Sequence, residues 1–356
     1  MERRRWLVAI ILACLITTCV GRMLSSNEEL MIKDNDENIL YNSTLVQILL
    51  EYTAAVYTAD LTALFTWTCE RCTDMTEGFE VVEVIVDIKS CLQAYVGVAR
   101  DLNSVIVVFR GTQENSIQNW IEDLYWKQLD LNYDEMPGAM VHHGFYAAYH
   151  NTTMRSGVLI GLQKTRELYG DMRITVVGHS MGGAMAAFCA LDLKVNYGVD
   201  DVQLMTFGQP RIGNAIFSSY FKTHLPYAVR VTNGHDVVPH LPPYYPLFPH
   251  KTYHHFPTEV WIHNVGIGSL VYSAETICDQ TGEDPSCSRS VLGNSVSDHL
   301  VYLGVDLQAE TWRSCGIVTG SNMERYRIDV AGNLILLKDT IGPLLKPNAQ
   351  MDISSS

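Results

Sequence analysis

The chain has 356 residues, 47% of them hydrophobic and 18% charged, with a formal charge of −14. That length and apolar content can bury a large core, in one α/β domain or in two. The negative balance argues against nucleic acid and anionic membrane surfaces as electrostatic partners.

The first residues, MERRR, supply a positive start ahead of fifteen mostly apolar residues, 6–20. This pattern predicts a signal peptide over residues 1–21, cleaved after Gly21. The apolar run is shorter than the roughly 20 residues of a membrane span; retention as a tilted signal anchor is the alternative. The mature chain is therefore expected in the secretory pathway, secreted or vacuolar, without a stable transmembrane span. Two Asn-x-Thr/Ser sequons, at Asn42 and Asn151, are consistent with that route as glycosylation acceptors.

Apolar residues recur at helical spacing over 42–59, behind an Asn suited to capping. Residues 80–88, 91–100 and 103–109 are rich in Val and Ile and read as strands, the last two meeting in a hairpin at DLN. Residues 144–169 read as one long helix stopped by Gly170. A strand at 173–177, a helix at 181–197, a strand at 202–207, a helix at 215–221 and a strand at 227–232 follow. Strands alternating with helices predict a mostly parallel sheet covered on both faces, with reactive groups beyond the strands' carboxyl ends. The Pro- and aromatic-rich PHLPPYYPLFPH, 239–250, must be an irregular loop, and residues 316–356 read as a peripheral tail.

Seven cysteines follow the leader. Cys69 and Cys72 form a CxxC without a second such pair, which in an oxidising compartment reads as a small disulfide loop. Cys278 and Cys287 bracket DQTGEDPS, a polar loop that a disulfide would close. Cys189 sits in an apolar helical stretch and reads as a buried free thiol. Cys91 and Cys315 remain as a weaker long-range pair.

The chemistry concentrates at TVVGHSMGGAMAAF, 175–188. A Gly-x-Ser-x-Gly match alone arises by chance in roughly one chain in ten of this length. Here a strand delivers Ser180 into a turn flanked by Gly178, Gly182 and Gly183, and a helix follows at once. That context makes it a nucleophile elbow. A serine hydroxyl needs a histidine to take its proton and an acid to orient that histidine. In this fold class the acid and then the histidine follow the serine. Asp236 comes directly after the 227–232 strand, at the catalytic edge. Six histidines come later, 240, 250, 254, 255, 263 and 299, and order alone does not choose among them. His299 is attractive because a polar loop presents it and an apolar stretch anchors it. HKTYHH has no neighbouring Cys or carboxylate set, so no metal site is expected there, nor any cofactor.

The segments FRGTQENSIQNWIEDL, VHHGFYAAY, VVGHSMGGAMAAF, MTFGQPRIGN, RVTNGHDVVPHLPP and DHLVYLG occur in this order between about residues 41 and 315. In these the chain resembles the fungal-type, or class 3, lipases, most closely their secreted plant-like members. The resemblance implies an α/β-hydrolase-like catalytic domain over 22–315 that cleaves carboxylic esters of lipids. By position it makes Ser180 the nucleophile, Asp236 the orienting acid and His299 the base. It places the oxyanion hole at Thr112 and the backbone N–H of Met181, two donors worth about 3 kcal/mol each. Taken alone, Thr112 reads equally well as a turn residue. The family's disulfide pattern also supports Cys69–Cys72 and Cys278–Cys287.

Ile117, Trp120, Ile121 and Leu124 fall on one face of a short helix that Asn115 or Ser116 could cap. Its place after Thr112 matches the family's lid, a cover that opens at a lipid–water interface. The segment between Gly111 and Ile117 and the interval from Asp236 to His299 are longer than in the fungal enzymes, which bears on substrate preference. A phospholipase or phenolic-ester esterase on the same fold is the alternative enzyme. A catalytically inactive lipid-binding module is the alternative outside enzymes.

Overall fold

The computed structural model describes residues 30–33, 38–112, 114–126, 131–133, 135–245, 247, 252–267, 270–308, 326–328 and 334–336. The signal peptide expected at 1–21 and Cys315 lie outside the described residues, as does the 316–356 tail apart from its two short paired strands. The chain divides into two units, Met1–Gln47 and Ile48–Ser356. In the first, Leu30–Lys33 pairs antiparallel with Asn38–Tyr41. Asn42 then accepts the Leu45 N–H (2.9 Å), capping helix α1 (Ser43–Ala55), which continues into the second unit.

In the second unit three β-branched runs, Glu80–Asp87 (β1), Leu92–Ala99 (β2) and Ser104–Phe109 (β3), form an antiparallel meander. The chain then alternates. Arg173–His179 (β4), Val202–Phe207 (β5), Val229–Asn233 (β6) and Glu259–Ile267 (β7) are each added parallel to the strand before. Leu270–Ile277 (β8) returns antiparallel, which gives the sheet order β8-β7-β6-β5-β4-β3-β2-β1. The fold is α/β-hydrolase-like, with parallel strands at its centre and helices on its faces. β2 and β3 are buried along their whole length, as strands covered on both sides must be.

Helix α5 (Met181–Val195) crosses behind β3, β4 and β5 and is buried without a break from Gly182 to Leu193. Its small and apolar residues leave no polar stripe, so only a fully covered position suits it. The helix predicted over 144–169 is in fact two, α3 (His143–His150) and α4 (Thr153–Tyr169). Thr152 adopts an extended backbone and its hydroxyl accepts the Met154 N–H (3.2 Å), so a cap overrides the apolar periodicity. The β7–β8 hairpin has no counterpart among the predicted elements.

Cys69–Cys72 and Cys278–Cys287 are disulfide-bonded, and Cys189 is a buried free thiol on α5. Cys91 is also in a disulfide. No described helix is long and apolar enough to cross a membrane.

Candidate active site

Ser180 stands between the end of β4 and the start of α5 with φ 59° and ψ −131°, a backbone region L-residues rarely occupy. Two features hold it there. Its N–H donates to the Phe207 carbonyl at the end of β5 (2.9 Å). The crossing of strand and helix is also too tight for side chains: a Cβ on Gly178 would strike the Gly182 carbonyl, and one on Gly182 the Phe109 carbonyl. Glycine is thus required on both sides of the serine by contact, and the hydroxyl is presented at the carboxyl end of the sheet.

Asp236 follows β6, and His299 lies in a helical turn, Ser297–Leu300. The two segments are joined by the Asp236–Ser295 bridge and by Asn233 Nδ2, which donates to the carbonyls of Asp298 (3.1 Å) and Val301 (2.8 Å). The Asp298 carboxylate in turn accepts the His235 N–H (2.8 Å). His299 Nδ1 donates to Asp236 Oδ2 (2.9 Å), Tyr302 Oη donates to the same oxygen (2.5 Å), and the Val238 N–H donates to Oδ1 (2.8 Å). Burial, then the neighbouring Asp236 charge, pushes the Tyr302 phenol well above its ordinary value, so it remains a donor. A carboxylate can only accept, so the proton of His299 sits on Nδ1 and the lone pair on Nε2. That Nε2 and Ser180 Oγ are both buried with no hydrogen-bond partner among the described residues. Gly208, with φ 55°, leaves room for the Asp–His pair: a Cβ there would lie 2.8 Å from both Asp236 Oδ2 and His299 Nδ1.

Thr112 is half-buried, three residues beyond the end of β3, and its hydroxyl donates to the Met181 thioether (3.8 Å). Gly111 packs directly on the nucleophile; a Cβ there would lie 2.8 Å from Ser180 Cβ. Met181 opens α5, so its N–H is among the helix-start donors without an intrahelical acceptor. Thr112 thus contacts Met181, the residue that follows the serine.

The remaining histidines are engaged elsewhere. The rings of His240, His254 and His255 meet main-chain carbonyls, and His263 meets Thr276 Oγ1 on β8. His250 lies outside the described residues. The one His/Cys/Asp/Glu grouping of metal-site dimensions among the described residues is Cys278, Asp284 and Cys287, where both sulfurs are committed to the disulfide.

Helix α2 (Glu114–Trp126) carries the amphipathic segment. Ile117, Ile121 and Leu124 are buried, Trp120 is half-buried against Phe145 (ring centroids 6.1 Å), and Gln118, Asn119, Glu122 and Asp123 are exposed. The helix already includes Glu114, so Asn115 and Ser116 lie in its first turn. Asn151 is exposed at the end of α3.

Tyr302, Asn233 and Asp298 have no part in the sequence reading. The one available signal was their position inside the same motifs, RVTNGHD and DHLVYLG.

Two buried imidazoles make stability depend on pH. Burial holds His179 well below its ordinary value, with the nearby His299 adding to this; burial and then Arg230 and Arg211 do the same to His255. Folded values below the unfolded value of about 6.5 mean that the unfolded chain takes up protons first as pH falls. The stability from these neutral rings is therefore complete above about pH 7 and is lost below about 6.5, at about 1.4 kcal/mol per pH unit for each ring. Thermal midpoints are expected to drop steeply from about pH 6.5 to 5.5; a flat profile over that window contradicts the assignment.

The chain is similar to known lipases in sequence and in fold. A family profile described as lipase (class 3) matches residues 106–245. A lipase of Rhizomucor miehei is 33% identical over 248 residues, 68% of this chain and 63% of that protein. A lipase of Caenorhabditis elegans is 30% identical over 304 residues, 76% of this chain and 82% of that protein. The solved structure of Rhizomucor miehei triacylglyceride lipase is similar with a TM-score of 0.62 at 31% identity, covering 75% of this chain and 97% of that one. The chain spans 58–63% of the length of the fungal lipase sequences from Rhizomucor and Rhizopus that it matches.

Proposed function

Because the chain belongs to the class 3 lipase family, we propose that it is a carboxylic ester hydrolase that cleaves acylglycerols through an acyl-enzyme on Ser180. The observation that carries this reading is the hydrogen-bonded Asp236–His299 pair, whose free Nε2 is buried without a partner among the described residues, as is the Ser180 hydroxyl on its strained elbow. His299 Nε2 takes the Oγ proton as Oγ adds to the acyl carbonyl. Thr112 and the Met181 N–H receive the oxyanion. Collapse expels the alcohol with the proton from His299, and water then repeats the sequence on the acyl-enzyme. Asp236 keeps the imidazole in the Nδ1–H form and offsets the positive charge it acquires.

Ser180 and His299 are each 0% exposed, so substrate reaches them only after part of the protein moves. The amphipathic helix α2 is our candidate for that cover. At a lipid surface its apolar face would exchange protein contacts for acyl chains, so opening there forfeits little burial. Trp120→Ser is expected to lower the rate on emulsified triacylglycerol about tenfold while changing that on a dissolved short-chain ester less than about twofold. Equal losses on the two substrates would rule out a cover that opens at interfaces. The same panel tests the substrate class: emulsified acylglycerols should be turned over faster than phospholipid or phenolic esters, and the reverse order would replace the acylglycerol assignment.

The signal-like N-terminus, the sequons and the disulfides support passage through the secretory pathway. Exposed Asn151 is the better-placed acceptor for a glycan.

A further inference from the structure

One hydroxyl joins the Gly111–Thr112 loop to the elbow and, through His179, reaches the turn that carries His299. Tyr57 lies in the turn that follows α1, and its main chain is pinned by Gln93 Nε2, which donates to the carbonyls of Val56 (2.9 Å) and Thr58 (3.2 Å). Gln93 is held in turn by Arg110 Nη1 (2.9 Å). The Tyr57 side chain is fully enclosed, its oxygen 3.1 Å from the Gly111 nitrogen and 2.7 Å from His179 Nδ1. On the other side of the His179 ring, Nε2 lies 2.8 Å from the main-chain carbonyl of His299.

The direction of every proton in this chain follows from chemistry. A carbonyl oxygen cannot donate, so His179 Nε2 carries the hydrogen and donates to it. Burial keeps the ring neutral, so Nδ1 offers a lone pair and the Tyr57 O–H donates to it. The Tyr57 oxygen is then free to accept the Gly111 N–H. The sequence of donors runs Gly111, Tyr57, His179, and ends on the backbone of His299. Gly111 packs on Ser180 and precedes Thr112; His179 precedes Ser180; His299 is the proposed base. The Tyr57 hydroxyl touches the first two of these segments directly and reaches the third through the His179 ring.

We propose that Tyr57 is a positioning residue for the hydrolysis, setting the oxyanion loop, the elbow and the base in one register through His179. This rests on the ester-hydrolase reading above. Removing the hydroxyl strands two buried partners, the Gly111 N–H and His179 Nδ1. It also frees His179 to move its proton to Nδ1 and release the His299 carbonyl. The base and the oxyanion donors would then drift relative to Oγ while the surfaces that bind substrate stay in place.

The test measures Tyr57→Phe on a dissolved short-chain ester beside a matched control. Tyr95→Phe removes an equally buried hydroxyl, which donates to the Tyr52 carbonyl (2.7 Å) and has no link to the catalytic segments. Tyr57→Phe should lower kcat about 10- to 100-fold with KM within about twofold, as expected for lost alignment. Tyr95→Phe should keep kcat within about twofold at temperatures well below its unfolding midpoint. Full kcat in Tyr57→Phe, or an equal loss in Tyr95→Phe, overturns the positioning role. If Tyr57→Phe does not fold, His179→Phe reads the same link from its other end; it keeps a ring in place but has neither donor nor acceptor, and undiminished kcat there overturns the role. Ser180→Ala run alongside separates the two ideas. Activity surviving in that variant would sink the hydrolase reading itself, whereas an active Tyr57→Phe would sink only the positioning role.

Discussion

Ser180→Ala is expected to lower turnover by about five to six orders of magnitude, with the fold unchanged. The substitution deletes one oxygen that makes no hydrogen bond among the described residues, so no packing or polar partner is lost with it. His299→Ala should cost nearly as much, because nucleophile and base act as a unit and neither retains a function without the other. Asp236→Asn should cost about four orders of magnitude for a different reason. An amide that turns its NH2 toward His299 Nδ1 forces the proton to Nε2, and the ring then has no lone pair for Ser180. The Tyr302 hydroxyl, which donates to the same Asp236 oxygen, would meet that NH2 as well. Steady-state kinetics on one dissolved ester checks all three variants. Near-normal turnover in His299→Ala, with a large loss in His263→Ala instead, would move the base to another histidine.

The second large effect concerns stability. Arg211 and Glu283 form a two-pronged ion pair, Nε to Oε1 at 2.7 Å and Nη2 to Oε2 at 2.9 Å, with both side chains only 4% exposed. Arg211 Nη1 also donates to the carbonyls of His240 (2.6 Å) and Pro242 (3.0 Å), and Glu283 accepts the His255 N–H (2.9 Å). The Cys278–Cys287 disulfide closes the loop that carries Glu283. Glu283→Ala leaves a guanidinium buried without its counter-charge, for which the expected loss is about 3–5 kcal/mol. Urea unfolding reads this as a lower midpoint at unchanged m-value; a loss below about 1 kcal/mol would mean that water reaches the site and solvates Arg211.

What the sequence made legible follows from how local each signal is. The elbow is written in consecutive residues, because the clashes that demand Gly178 and Gly182 arise within one strand-to-helix turn and from the neighbouring β3. The acid is legible because it follows a strand with a clear Val-rich pattern. The break at Thr152 was not, since a hydroxyl competing for one N–H leaves the apolar spacing of 144–169 intact. The β7–β8 hairpin was missed because EVWIHNVGI and LVYSAETI carry polar residues inside strands of an outer hairpin. Tyr57 was invisible for a topological reason. Its partner His179 lies 122 residues away, and only the closed sheet brings them together. Tyr302 is a similar case, 66 residues from Asp236 in the chain and in contact with it in space.

The central claim is that Ser180, activated by His299, attacks an acyl carbonyl. Exposure of the folded protein to a fluorophosphonate, followed by peptide mass mapping, tests it most directly, because the reagent captures a serine only where a base and oxyanion donors are already in place. The account predicts one adduct per chain, on the peptide containing Ser180, and none in Ser180→Ala or His299→Ala. Folded protein that hydrolyses esters yet stays unlabelled, or carries the adduct on another residue, would contradict it.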